Sequence, residues 1–285
     1  MSIRFVADVS SNHNSDIQRT LAFIDTAADI GCDAVKFQLF RVDELFAPEV
    51  LAKSETLRRR KDWELSVELL PVLATRCEQR GIEFSCTPFY LQAVKELEPY
   101  VSFYKIASYE LLWHDLIRAC AKTGKPVVLA TGMATTEEIW AAVNAARAAG
   151  CSELTLLHCV SGYPAPITQA NLAVVETLRR EFKVDVGWSD HTVSPAVMVR
   201  AIERWAASMV EFHLDLDGAG AEFGSGHCWL PHQIEPVIKL VRDGERADGL
   251  DDKRPVAAEL PEREWRADPS DGLRPFKRVR QTWVP

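Results

Sequence analysis

The sequence has no apolar run near the roughly 20 residues needed to span a bilayer. Its opening, MSIRFVADVSS, lacks the charged, apolar and small-residue order of a secretory leader. Positive charge is not in excess: Lys and Arg number 33 against 41 Asp and Glu, a net charge of −8. That balance argues against a general nucleic-acid or anionic-membrane binder, while leaving room for a local basic pocket. The seven cysteines are odd in number and form no CxxC, so they read as reduced thiols in small core positions rather than as a disulfide framework. No GxGxxG follows the first strand-like run, which weighs against a doubly wound dinucleotide fold. What is present is an ordinary globular composition, 47% hydrophobic and 26% charged, and the expectation is a cytoplasmic protein.

Strand-like and helix-like patterns alternate along the chain. Apolar runs at Ile3–Val9, Ala34–Leu39, Ile82–Cys86, Phe103–Ala107, Pro126–Ala130, Leu154–His158, Val184–Trp188 and Met209–Phe212 have the length and bounds of buried strands. Between and after them lie helical periodicities at Ile17–Ile30, Glu64–Gln79, Leu91–Leu97, Leu111–Lys122, Thr135–Ala149, Gln169–Phe182, Pro195–Ala206 and Gln233–Glu245. Gly31, Gly81 and Gly124 stand where helices stop, and TTEE at Thr135 has the form of an N-terminal capping box. This rhythm predicts a (β/α)8 TIM barrel over residues 1–246, with the open doubly wound sheet as the alternative. From Ala247 the chain is rich in charge and proline without periodicity, a C-terminal extension in which Trp265, Phe276 and Trp283 suggest some docking.

Barrels keep chemistry at the C-terminal ends of their strands, and here those positions are polar. They hold Asp8 with Ser10, Ser11, Asn12, His13 and Asn14; Lys36 and Gln38; Thr87; Lys105 and Ser108; Thr131; His158, Ser161 and Tyr163; Ser189, Asp190 and His191; and His213. After the eighth strand, a loop with Asp215, Asp217, Glu222 and four glycines leads to His227. Two imidazoles joined by such a loop suit one divalent metal, with acids as further ligands or support. Lys36 and Lys105 interrupt buried strands, where a lysine costs several kcal/mol without a partner. Either each pairs with an internal carboxylate, Asp8 and Asp190 being the candidates, or both face a polyanionic ligand. Hydroxyls at Thr87, Ser108, Ser161 and Ser189 would suit a phosphate plus a carboxylate.

At these residues the sequence resembles the sialic acid synthase family of phosphoenolpyruvate-dependent enzymes. The resemblance runs in order through VADVSSNHNSD, GCDAVKFQLF, GIEFSCTPF, YKIASYEL, LATGMATTEEI, LLHCVSGYPAP, VGWSDHT and VEFHLDLD. It implies condensation of phosphoenolpyruvate with an open-chain amino sugar, such as N-acetylmannosamine, assisted by Mn²⁺ or Mg²⁺. It further implies that Lys36, Thr87, Lys105, Ser108, Ser161 and Ser189 hold phosphoenolpyruvate, that His213 and His227 ligate the metal, and that Gln38, Tyr163 and Asp8 face the sugar. Departures from the family pattern are Asp8 for a glutamate, Gly226 for an aspartate, Tyr90 for an aspartate and a shortened loop between the histidines. Family members commonly continue into an antifreeze-like domain whose arginine reaches a partner's site. The expectation here is a chain without that domain, a homodimer, and Arg274 in the turn-like DGLRP as the substitute. Other readings are the same chemistry on a different aldose, or a barrel serving only as a binding or scaffold protein.

Overall fold

In a parallel sheet covered by helices both strand faces are buried, so inward polar residues decide what the interior can do. The computed structural model describes residues 3–284. Its strands are β1 (Arg4–Asp8), β2 (Ala34–Leu39), β3 (Glu83–Pro88), β4 (Phe103–Ile106), β5 (Val127–Ala130), β6 (Leu154–Cys159), β7 (Asp185–Asp190), β8 (Met209–Leu214) and a short β9 (Cys228–Trp229). The first eight pair in sequence order, all parallel, and β1 closes the ring on β8 with Asp8 opposite His213. The chain is therefore the expected (β/α)8 barrel.

Two apolar layers follow from the alternation of side chains along each strand. One set, including Phe5, Val35, Phe37, Phe84, Leu129 and Phe212, packs outward against the helices. The other (Val6, Ala34, Phe103, Val128, Ala130, Leu157, Cys159 and Met209) fills the barrel interior. Continuing the inward set toward the C-terminal ends reaches Asp8, Lys36, Lys105, Ser189 and Glu211, all buried. Gly187 belongs where strands approach closely: a Cβ there would sit 2.3 Å from the Met209 carbonyl oxygen.

The helix signals act as expected. Thr135 and Glu138 form the reciprocal capping box of Thr136–Ala148, and Gly81 ends Leu70–Arg80 in the left-handed conformation. Several bounds differ from the sequence reading. The helix expected from Glu64 starts at Leu70, where Pro71 suits a first turn, and the stretch before it holds short helical turns at Val42–Leu45, Pro48–Leu51 and Glu55–Arg58. The helices expected from Leu111 and Gln169 start at His114 and Val174. Strand β8 runs past Phe212 to Leu214, so His213 lies inside the strand, because β9 pairs with it there. All seven cysteines are unpaired thiols, and no described helix is long and apolar enough to cross a membrane.

The chain divides into a unit ending at Gly244 and one beginning at Glu245. Within the second, Arg278 pairs with Glu264 and Arg280 with Asp271, and Arg266 and Arg278 lie over the Phe276 ring. This extension is thus turn-rich and internally bonded.

Asp190 is a corrected expectation: its carboxylate pairs with no lysine. It accepts from the Trp188 and Trp229 indoles at 3.1 and 2.9 Å and from Thr192 and Val193, pinning β7, β9 and the next loop together. Asp190→Ala leaves several buried donors unmet and is expected to destabilise by about 3 kcal/mol, or roughly 6–12 °C in Tm for a chain of this size. Thermal unfolding checks this, and an unchanged Tm contradicts the pinning role.

Candidate active site

The barrel register sets Asp8 beside Lys36 on one side and His213 on the other. Lys36 Nζ donates to Asp8 Oδ2 at 2.7 Å and to Thr87 Oγ1 at 3.3 Å, with Glu211 Oε1 3.7 Å away. Lys105 Nζ reaches the same Glu211 oxygen at 3.0 Å. Both lysines therefore have carboxylate partners, and the second partner is Glu211 rather than Asp190. Burial alone would raise Asp8's pKa, but the Lys36 ammonium, backed by His213 and Lys105, holds the carboxyl below its ordinary range. Burial likewise opposes charge on Lys36, and Asp8 and Glu211 more than restore it. The floor of the mouth is a charge-balanced quartet with one oxygen, Glu211 Oε2, left without a partner.

Above it, hydroxyls crowd one glycine. A Cβ on Gly132 would lie 2.2 Å from Ser161 Oγ and 2.7 Å from Ser108 Oγ. The Gly132 amide donates to Ser108 Oγ at 3.0 Å, whereas Ser161 Oγ is buried with no partner. Ser189 is buried next to Cys159 and Glu211 in register. This group of small donors beside two ammonium groups fits an oxyanion-rich ligand. Cys159 Sγ lies 3.1 Å from Ser108 Oγ, and burial keeps its thiol neutral by pushing its pKa up.

The imidazoles of His213 and His227 come together with ring centroids 4.5 Å apart. Burial pushes His213 well below the usual imidazole range; Asp8 opposes this, while His227, His191 and Lys36 reinforce it. His213 is thus neutral at neutral pH and keeps a lone pair. Both Nδ1 atoms are buried without a hydrogen-bond partner, and one Glu222 oxygen lies 3.7 Å from each ring. The donor atoms of His213, His227 and Cys228 lie within 4.8 Å of one another. Burial keeps Cys228 a thiol, pushed up to about 12, with the Asn12 amide donating to it. Orphaned imidazole nitrogens beside a carboxylate are a donor set that fits a divalent cation.

The loop carrying Glu222 is held by the β1 loop. Asn12 accepts from the Glu222 amide, Asn14 accepts from Ala221, and Arg19 binds Asp215 and Asp217. Gly226, at φ 80°, ends the preceding turn and aims the chain into His227, which explains glycine there. Tyr163 stacks near His191 and His227, with centroids 4.3 and 4.9 Å away, and Gln38 donates to Asp8 and Ser10. His158 and Thr131 are structural instead, bonding the Ala170 and Leu157 carbonyls. Arg274 belongs to the C-terminal unit and carries no ion pair among the described residues.

A cavity of about 610 Å³ is lined by Asp8, Gln38, Lys105, Ser108, Tyr163, Ser189, His213 and His227 among others, whereas the expected site residues Lys36, Thr87 and Ser161 are not on its wall. The sequence reading missed Glu211, Gly132 and Glu110. Period-two counting back from His213 reaches Glu211, so that signal was available. Glu110 lines the cavity with one oxygen buried and unpartnered; burial lifts it to about 7, with Lys105 pulling the other way.

Fold and mouth together place the chain among the (β/α)8 barrels, which keep their chemistry at the C-terminal face. More particularly, it belongs to the NeuB family, whose family model matches residues 23–253. It is 35% identical over 257 residues to an uncharacterized protein of Methanocaldococcus jannaschii, covering 89% of this chain and 74% of that one. To the N,N'-diacetyllegionaminic acid synthase of Legionella pneumophila it is 32% identical over 281 residues, covering 92% of this chain and 77% of the relative. Among solved structures it resembles a sialic acid synthetase of Leptospira borgpetersenii, with a TM-score of 0.80 and 28% identity over 92% of this chain and 90% of that one.

Lys36→Met strands the buried Asp8 carboxylate and is expected to destabilise by roughly 3–5 kcal/mol. Adding Asp8→Asn removes the stranded charge and recovers much of the loss. Urea unfolding of both single variants and the double variant checks this; a Lys36→Met protein as stable as its parent contradicts the pairing.

Proposed function

We propose that this protein condenses phosphoenolpyruvate with the aldehyde of an open-chain N-acylated amino sugar, giving a 3-deoxy-ulosonic acid and phosphate. One observation carries the reading: a single cavity joins Lys105, Ser108 and Ser189, suited to a compact polyanion, with a pair of imidazoles suited to a divalent cation. The names of the relatives, an N,N'-diacetyllegionaminic acid synthase and a sialic acid synthetase, support the same chemistry.

Lys36 and Lys105 neutralise the phosphate and carboxylate of phosphoenolpyruvate, while Thr87, Ser108, Ser161 and Ser189 fix its orientation. The aldehyde lies toward His213 and His227, the residues that would hold Mn²⁺ or Mg²⁺. A cation bound there supplies Lewis-acid polarisation of the carbonyl. The methylene carbon of phosphoenolpyruvate then bonds to the aldehyde carbon, and water adds to the cationic enol carbon. Asp8, held ionised, accepts the water's proton and returns it to the oxygen of the former aldehyde, which becomes a hydroxyl. Collapse of the resulting adduct breaks the carbon–oxygen bond, releases phosphate and leaves the keto acid. Gln38 and Tyr163 border the sugar.

The test is phosphate release from phosphoenolpyruvate in the presence of an amino sugar and Mn²⁺. Release should require all three, and His213→Ala or His227→Ala should abolish it together with Mn²⁺ binding measured by titration. Full activity in EDTA contradicts the cation, and release without sugar contradicts the condensation.

The same reading includes a homodimer in which the C-terminal unit supplies Arg274 to the sugar of a second copy through its fork of donors. Deleting residues 262–285 should then raise the KM for the sugar and reduce the number of subunits per particle. A truncated chain with the parent's subunit number and kcat/KM rules that contribution out.

A further inference from the structure

We propose that Arg60 recognises an N-acyl group on the acceptor sugar. This rests on the synthase reading above and adds the part of the substrate that the cavity's outer wall selects. The segment between β2 and the helix Leu70–Arg80 gives the cavity Leu45, Phe46, Leu57, Arg60 and Trp63, and Phe40 and Phe89 extend the same apolar surface. Arg60 is the one guanidinium among the lining residues.

Arg60 is exposed like its neighbours and differs from them in its partners. Residues 58–61 are four consecutive cations, and the other three are engaged within the protein. Arg58 donates to the Leu51 carbonyl, Arg59 to Glu55 at 2.7 Å and Lys61 to Asp43 at 2.6 Å. Arg60 instead lies against two rings, its central carbon 5.7 Å from the Phe46 centroid and 5.4 Å from that of Trp63. No carboxylate pairs with it among the described residues. A guanidinium held by aromatic rings keeps its donors available while giving up little side-chain freedom.

The ligand chemistry follows from the combination. A phosphate would gain one cation here and lose hydration against a wall of rings. A bare hydroxyl would accept one hydrogen bond and leave the apolar surface uncovered. An acetamido group meets both demands: its carbonyl oxygen accepts from Arg60, and its methyl covers the rings. The floor lysines bind a different molecule, so the two recognitions are separable.

The test compares the parent protein, Arg60→Leu and Arg60→Lys on N-acetylmannosamine, a di-N-acetylated amino sugar and mannose, each with phosphoenolpyruvate and Mn²⁺. Arg60→Leu should raise the KM for the acylated sugars roughly tenfold to hundredfold. The preference for acylated sugar over mannose should fall in proportion, and the KM for phosphoenolpyruvate should stay within about twofold, since a charged hydrogen bond to the sugar alone is lost. Arg60→Lys should recover part of the preference. Calorimetric titration of the acylated sugars separates this inference from the synthase reading. An active parent whose preference survives Arg60→Leu overturns the Arg60 assignment alone. Binding that depends on Arg60 without turnover supports the assignment and overturns the synthase reading. A parent that neither turns over nor binds these sugars overturns both.

Discussion

Two ammonium groups and two carboxylates are sealed under the barrel mouth, and each depends on the others. Lys36 and Asp8 are both 1% exposed and 2.7 Å apart; alone, either would meet a desolvation penalty of several kcal/mol. Glu211 joins this pair to Lys105 through one oxygen. The quartet draws on β1, β2, β4 and β8, so the barrel must close before the charges can balance. An incoming polyanion would meet Lys105 already fixed on the cavity wall, with Lys36 joined to it through Glu211, rather than flexible surface lysines.

The imidazole pair depends on that closure as well. His213 stands opposite Asp8 in the β1–β8 register, while His227 is delivered by a return loop fastened to the β1 loop through Asn12 and Asn14 and to the first helix through Arg19. A Cβ at Gly220 would sit 2.3 Å from an Asp215 carboxylate oxygen and 2.5 Å from Asn12 Oδ1, so the loop packs this closely only with glycine there. Asp190, at the neighbouring strand end, ties two indoles and leaves the lysines to Glu211 and Asp8. Carboxylates at adjacent strand ends thus have different work, decided by which donors surround them.

Much of the barrel was legible because strand runs, helix stops and the Thr135 cap are local signals. The lysines, the hydroxyls and both histidines were legible for another reason: polar residues inside apolar strands are conspicuous. Glu211 was hidden because MVEF reads as a buried apolar run, and a parallel strand buried on both faces shows little alternation in hydropathy. Counted by twos, Met209, Glu211 and His213 share the inward face. Gly132 was illegible for a different reason, since its role comes from side chains just after β4 and at and after the end of β6 that meet only in three dimensions. Arg60 lay in a charged stretch where nothing local separates it from Arg58, Arg59 and Lys61.

The account turns on the floor holding phosphoenolpyruvate for carbon–carbon bond formation rather than for simple hydrolysis of its phosphate. The direct measurement places heavy oxygen in the bond between the phosphorus and the enol carbon and analyses the phosphate released with an N-acylated amino sugar present. Condensation breaks the carbon–oxygen bond, so the label is expected in the phosphate, with one keto acid sugar formed per phosphate. Unlabelled phosphate, with the label retained in pyruvate, would show cleavage at phosphorus and contradict the account.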